Sequence, residues 1–126
     1  MTTNDIDFRI AREILNERER QDKKWGDPKD LPNGTGPNVR TLAHVDASAT
    51  FYIDLANGTV LADAARTACD ARTTDGTVTY ADILLEEHFE ALAEEDPEKL
   101  FDELIQVSAV AQKWCRALIE HQGVQR

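Results

Sequence analysis

Two short runs of polar residues in the C-terminal half have the types and spacing to do chemistry. Glu87 and Glu90 are three positions apart, and so are Glu103 and Gln106. On a helix, side chains three apart share a face, so each pair would present its oxygen atoms in one direction. Carboxylates brought together in this way repel each other unless a cation lies between them. A hard divalent cation that prefers oxygen ligands, Mg²⁺ above all, is the predicted occupant.

Two predicted helices carry these pairs. Thr79 and Asp82 form a capping-box pattern that opens a helix running to about residue 94. Asp96 followed by Pro97 is typical of a second helix start, and this helix is predicted to run to about His121. Its apolar residues recur every three or four positions and predict a core-facing stripe: Leu100, Leu104, Val107, Ala111, Trp114 and Leu118. The sequence thus predicts a tight helical hairpin.

The preceding residues predict further helices and one long loop. Isoleucines at helical spacing indicate a first helix to about Lys24, after a frayed start with Asp5 or Asp7 as its cap. Three of the four prolines and three of the six glycines then fall between Gly26 and Asn38, which predicts a loop. An alanine-rich helix is predicted from about residue 60 to residue 72.

The predicted fold is all-α, a compact bundle of four to five helices with a long Gly/Pro-rich loop after the first helix, forming one domain over residues 1–126. The segment from residue 39 to residue 54 is ambiguous. A short helix over residues 41–53 and a strand over residues 50–54 both remain possible. His44 and Asp46 within it make only a weak metal-ligand pattern.

Composition excludes several classes of partner. The chain of 126 residues has 24 acidic and 14 basic side chains and a net charge of −10, which argues against nucleic acid and anionic membranes as partners. No apolar run approaches the ~18 residues of a membrane span. Cys69 and Cys115 lack C-x-x-C spacing and are predicted to be buried thiols, typical of a cytoplasmic protein.

The paired pattern E-x-x-E at Glu87 and Glu90, then E-x-x-Q at Glu103 and Gln106, resembles the MazG-like branch of the all-α nucleoside triphosphate pyrophosphohydrolases. The family motif is E-x-x-E, a spacer, then E-x-x-D on two packed helices. Gln21 and Trp25 also resemble a Q-x-x-x-W feature of related sequences, and the likeness covers about half the chain.

The resemblance implies Mg²⁺-dependent hydrolysis of a nucleoside triphosphate to the monophosphate and pyrophosphate, by a homodimer or tetramer. Glu87, Glu90 and Glu103 would be catalytic residues and metal ligands, with Gln106 at the fourth ligand position. The family has aspartate there, and a neutral amide oxygen is a poorer ligand. The candidates for binding the substrate are Arg18, Gln21, Lys24, Trp25, Arg66 and Lys113.

Alternatives remain open at each of these positions. Arg66 could instead pair with Asp70 one turn away, and the charged second half of the first helix could be a solvated helix end. The protein could be a nucleotide-binding member of the same fold with altered or lost activity, or a helical interaction module with a solvated acidic patch. The enzyme interpretation requires the three glutamates to face inward, beside Leu84, Leu104 and Val107.

Overall fold

The computed structural model describes residues 2–25, 32–38 and 57–125, and within these ranges the chain is helical with no strand. The helices are α1 (Thr3–Trp25), α2 (Gly58–Asp75), α3 (Tyr80–Ala93) and α4 (Pro97–His121). The all-α prediction is confirmed. None of these helices is both long and apolar enough to cross a membrane. The predictions for residues 39–54, including His44 and Asp46, lie outside the described residues.

The chain divides into two compact units. The terminal unit comprises Met1–Asn33 and Ala111–Arg126, and the central unit comprises Gly34–Val110. The central unit therefore holds α2, α3 and the first half of α4, which include every glutamate of the predicted centre.

Helix α1 of the terminal unit starts with a capping box. The Thr2 amide donates to Asp5 Oδ2 at 3.0 Å, and the Asp5 amide donates to Thr2 Oγ1 at 3.2 Å. The prediction of a frayed start was wrong, because Thr2 satisfies the first free amides of the helix. Ile6 and Ile10 are buried, whereas Phe8 and Leu15 are exposed.

Helices α2 and α3 pack against each other in the central unit. Small residues make this possible, since Ala62, Ala65 and Cys69 of α2 and Ala91 of α3 are buried. Asn57 caps α2 by accepting from the Val60 amide at 3.1 Å. Gly76 ends the helix with φ 80°, a left-handed conformation that glycine adopts without strain.

The start of α3 confirms its predicted capping box. The Thr79 amide donates to Asp82 Oδ2 at 3.0 Å, and the Asp82 amide donates to Thr79 Oγ1 at 3.2 Å. Arg72, near the end of α2, also donates to Asp82. Two neighbouring helix ends are thus tied together at one carboxylate.

The turn between α3 and α4 is also held at several points. Asp96 accepts from the Lys99 amide at 3.0 Å, as its predicted capping role requires. The Gly36 amide donates to the Leu92 carbonyl at 2.9 Å, and the Thr35 hydroxyl donates to the Glu94 carbonyl at 2.5 Å. Part of the Gly/Pro-rich loop therefore secures the end of α3, where the second glutamate of the pair is placed.

The apolar stripe of α4 is narrower than predicted. Leu100 is buried, but the side chain of Leu104, predicted to be core, is 52% exposed. Phe101 and Ile105 are exposed on the same stretch of the helix. The periodicity marks an apolar face correctly, yet only part of that face finds cover within the described residues.

Candidate metal centre

Three glutamates converge in the central unit. Glu87 and Glu90 lie one turn apart on α3, and Glu103 lies in the second turn of α4. One carboxylate oxygen from each lies within 4.8 Å of the corresponding oxygens of the other two. Residues from two helices joined by the short connection through Asp96 thus share one small volume. We call these three residues the carboxylate cluster.

Two oxygens of the carboxylate cluster are buried without compensation. Glu87 Oε2 and Glu103 Oε2 are inaccessible to solvent and have no hydrogen-bond partner among the described residues. Leaving such an oxygen unpaired is costly, and more so when it is charged. At 4.8 Å, the upper limit of these separations, two like charges repel by about 3.5 kcal/mol at an effective dielectric constant of about 20. The three carboxylates therefore destabilise one another unless a positive charge binds close to them.

The pKa values of the carboxylate cluster respond to this crowding. Burial, followed by the charges of Glu90, Glu103 and Glu86, raises the pKa of Glu87 above its ordinary value. The pKa of Glu103 is raised by burial and then by Glu90 and other acidic neighbours, against a lowering influence from Arg66. Both carboxylates hold a proton more readily than a free glutamate does.

Arg66 of α2 contacts the carboxylate cluster. Its Nε and Nη2 both donate to Glu90 Oε1, at 3.2 and 3.1 Å, and its Nη1 donates to Asp63 Oδ1 at 3.1 Å. The hydrogen bond to Glu90 is the main reason that the pKa of Arg66 is raised. The alternative pairing with Asp70 was wrong, because the guanidinium turns to α3 instead.

A cavity of about 280 Å³ opens beside the carboxylate cluster. Its ionisable lining consists of four acids and one arginine: Asp63, Glu90, Glu94, Glu103 and Arg66. Such a cavity attracts cations and repels free anions. Sequence reasoning missed Asp63 and Glu94. The i, i+3 spacing of Asp63 and Arg66 on α2 was an available signal, whereas nothing in the sequence distinguished Glu94 from the neighbouring Glu95 and Glu98.

Three neighbouring polar residues have other surroundings. Gln106, predicted as a fourth ligand, lies one turn after Glu103 and is exposed. Asp102, directly before Glu103, is also exposed. The interaction of the Cys69 thiol with Glu86, followed by burial, raises the pKa of Cys69 to about 11. Cys69 is buried as predicted, whereas Cys115 is exposed. The enzyme interpretation requires the three glutamates to face inward beside Leu84, Leu104 and Val107. This requirement is met in part, because Leu84 and Val107 are partly buried whereas Leu104 is exposed.

The remaining substrate-binding candidates belong to the terminal unit. Arg18, Gln21 and Lys24 are exposed on α1, and Lys113 is exposed on the second half of α4. Trp25 is the last residue of α1, and its side chain lies outside the described residues. Nothing in the central unit tests a role for these five residues in binding a substrate, and their role stays a prediction.

Comparison with known proteins adds no relative. No family model, no curated protein and no solved structure matches this chain. The likeness to MazG-like pyrophosphohydrolases therefore rests on the motif residues themselves.

Proposed function

We propose that this protein is a Mg²⁺-dependent nucleoside triphosphate pyrophosphohydrolase that releases pyrophosphate and leaves the monophosphate. The observation that carries the proposal is the carboxylate cluster, in which two helices contribute three converging carboxylates with two buried, unpaired oxygens. This donor set consists of anionic oxygens alone, which is the chemistry that Mg²⁺ selects. The E-x-x-E and E-x-x-Q spacing supports the choice of reaction.

The carboxylate cluster fits a divalent cation. Glu87, Glu90 and Glu103 would hold it, and three carboxylates more than balance a charge of +2. When bound, the ion polarises phosphate oxygens and offsets the negative charge that develops on them during hydrolysis. The buried oxygens of Glu87 and Glu103 would then gain the partner that no described protein group supplies.

The chain's own residues have separate roles in this proposal. One of the three glutamates would hold the water that attacks a phosphorus atom. Arg66 lines the cavity and offers a planar guanidinium to phosphate oxygens. Since the acidic lining repels a free triphosphate, we propose that the substrate arrives as its magnesium complex.

The cavity also limits which part of the substrate it can hold. A volume of about 280 Å³ suits phosphate groups with their cation rather than a whole nucleotide. The base and sugar would lie outside the cavity. Arg18, Lys24 and Lys113 stay predictions from the sequence as phosphate-binding residues, Trp25 as a cover for the base and Gln21 as a further substrate-binding candidate.

Pyrophosphate release with Mg²⁺ tests the proposal, measured over canonical and modified nucleoside triphosphates. The wild type and a Glu17→Gln control, which changes an exposed glutamate on α1, should both release pyrophosphate. Glu87→Gln should not. If no triphosphate is hydrolysed and Mg²⁺ does not raise the unfolding temperature, the metal centre and the activity are both wrong.

Gln106 favours a second candidate, a nucleotide-binding protein with altered or lost activity. It stands where the resemblance calls for aspartate, and it is exposed. In that case Mg²⁺ and nucleotide would bind without turnover. Gln106→Asp distinguishes the candidates, because it should create pyrophosphate release in a protein that lacks only this ligand.

We further propose that the protein assembles into a homodimer or tetramer in the cytoplasm. Phe101, Leu104 and Ile105 are 64%, 52% and 56% exposed on α4. Adjacent apolar side chains of this kind are typical of an interface. An assembly of this type would also fit a helical interaction module. Light scattering of the wild type and of Leu104→Gln measures self-association, and a monomeric wild type would contradict it.

A further inference from the structure

Arg66 contacts one carboxylate oxygen of Glu90, and the other oxygen can bind a second cation. Both of its contacts with Glu90 fall on Oε1, so Oε2 takes no part in this ion pair. Glu90 is the least exposed partner in the contact, with 20% of its side chain accessible, whereas 47% of Arg66 is accessible. The glutamate is thus fixed in the carboxylate cluster, and the arginine is the more solvent-accessible member of the pair.

Asp63 gives the same guanidinium a second anchor. It lies three residues before Arg66 on α2 and accepts from Nη1 at 3.1 Å. Asp63 is outside the carboxylate cluster but lines the same cavity. If the bonds to Glu90 break, the bond to Asp63 still holds Arg66 at the edge of the cavity.

We infer that Arg66 is an exchangeable counter-ion, which neutralises Glu90 in the cation-free protein and is held by Asp63 when a divalent cation takes Glu90. Arg66 is a positioning residue in this scheme, and it lowers the affinity of the centre for the metal. The inference rests on the proposed metal centre but not on hydrolysis. Its consequence is that the guanidinium is freed from Glu90 for phosphate oxygens only once a cation is bound, whether the cation arrives alone or with the triphosphate.

Calorimetric titration with Mg²⁺ in the absence of nucleotide tests the exchange. Arg66→Gln removes a positive charge from the edge of the site, and we expect it to bind Mg²⁺ on the order of tenfold more tightly than the wild type. Arg66→Lys keeps the charge and should bind like the wild type. Asp63→Asn should weaken Mg²⁺ binding, since Arg66 loses its second anchor.

A double-mutant cycle shows whether Asp63 acts through Arg66. If it does, the effect of Asp63→Asn on Mg²⁺ affinity shrinks in the Arg66→Gln background. If Asp63 acts only as a nearby negative charge, its effect is the same in both backgrounds and the exchange is wrong. Circular dichroism verifies that each variant is folded.

The outcomes separate this inference from the proposed activity. Tighter Mg²⁺ binding by Arg66→Gln, together with a smaller effect of Asp63→Asn in that background and no hydrolysis of any triphosphate, upholds the exchange and overturns the activity. Unchanged or weaker Mg²⁺ binding by Arg66→Gln, in an enzyme that releases pyrophosphate, overturns the exchange alone. Absence of Mg²⁺ binding to both proteins overturns the exchange together with the metal centre.

Discussion

The second half of α1 and the carboxylate cluster are both rich in glutamate at helical spacing, yet their charges are balanced differently. Glu17 on α1 is 49% exposed and pairs at 2.6 Å with Arg20, three residues away on the same helix. In the carboxylate cluster, Glu90 pairs with an arginine of another helix, and Glu87 and Glu103 each have a buried oxygen that has no partner among the described residues. Spacing alone therefore creates a charged face, whereas a neighbouring helix turns that face into a candidate site.

The largest expected effect separates the two regions by activity. Glu103→Gln removes one of the three converging carboxylates, and we expect Mg²⁺-dependent pyrophosphate release to fall by at least about 100-fold, since even outer-shell changes at metal sites cost 10- to 100-fold. Glu17→Gln should leave it unchanged. Initial rates at saturating Mg²⁺ measure the difference. Equal rates in the two variants would show that Glu103 is no ligand.

Removing the metal provides the second test of the comparison. At a concentration about 100 times its dissociation constant, Mg²⁺ stabilises the folded state by about 2.7 kcal/mol, which raises the unfolding temperature by roughly 10 °C. A chelator should reverse the rise. The rise should persist in Glu17→Gln and disappear in Glu87→Gln. A similar rise in all three proteins would indicate that Mg²⁺ binds elsewhere.

In the cation-free protein, acids whose pKa is raised by folding and acids whose pKa is lowered should change the free energy of unfolding with pH in opposite directions. Glu87 and Glu103 have raised pKa values, so the stability they contribute is present below the ordinary value of 4.5 and is lost as the pH rises through their folded values. Chemical unfolding between pH 4 and pH 7 in a chelator measures this loss. Glu87→Gln should flatten the curve. If Glu87→Gln leaves the pH dependence of stability unchanged, the pKa of Glu87 is not raised in the folded protein.

Asp82 should show the opposite dependence. Its pKa is lowered by its hydrogen bonds to Thr79 and by Arg72, although burial acts the other way and is the largest single influence. Its contribution is present above the ordinary value of 3.8 and is lost as the pH falls through the folded value. The pKa of Asp5 at the start of α1 is likewise lowered by its hydrogen bonds with Thr2, so loss of stability in acid reports on these two helix starts rather than on the carboxylate cluster.

Local rules explain what could be predicted from the sequence. The Thr79–Asp82 box and the Asp96 cap depend on residues three apart, and both were predicted correctly. Arg66 was predicted to pair with Asp70 or a substrate, because nothing in α2 itself indicates that α3 will offer Glu90. Leu104 was predicted to be in the core but is exposed. Periodicity identifies the apolar face of a helix, but it does not show how much of that face neighbouring elements will bury.

Capping offers a smaller, purely structural test of the two regions. Thr79→Ala should cost about 1 kcal/mol of unfolding free energy, because it leaves the Asp82 amide without an acceptor at the start of α3. Thr2→Ala removes the same motif from α1. Its cost should be smaller, because among the described residues Asp5 hydrogen-bonds Thr2 alone, whereas Asp82 also accepts from Arg72 of α2. Denaturant unfolding measures both. A larger cost for Thr2→Ala would reverse the ranking of the two starts.

The smallest effect is expected for the α1 ion pair, and it shows why similar arginines do not have similar roles. Arg20→Gln removes an exposed contact between neighbours on one helix, and such pairs contribute about 0.3–0.5 kcal/mol, less at high salt because both charges are screened. The Mg²⁺ affinity of this variant should equal that of the wild type. Arg66→Gln, by contrast, should change Mg²⁺ affinity, because its partner Glu90 belongs to the carboxylate cluster. A change of Mg²⁺ affinity in Arg20→Gln as large as in Arg66→Gln would mean that net charge, not position, governs metal binding.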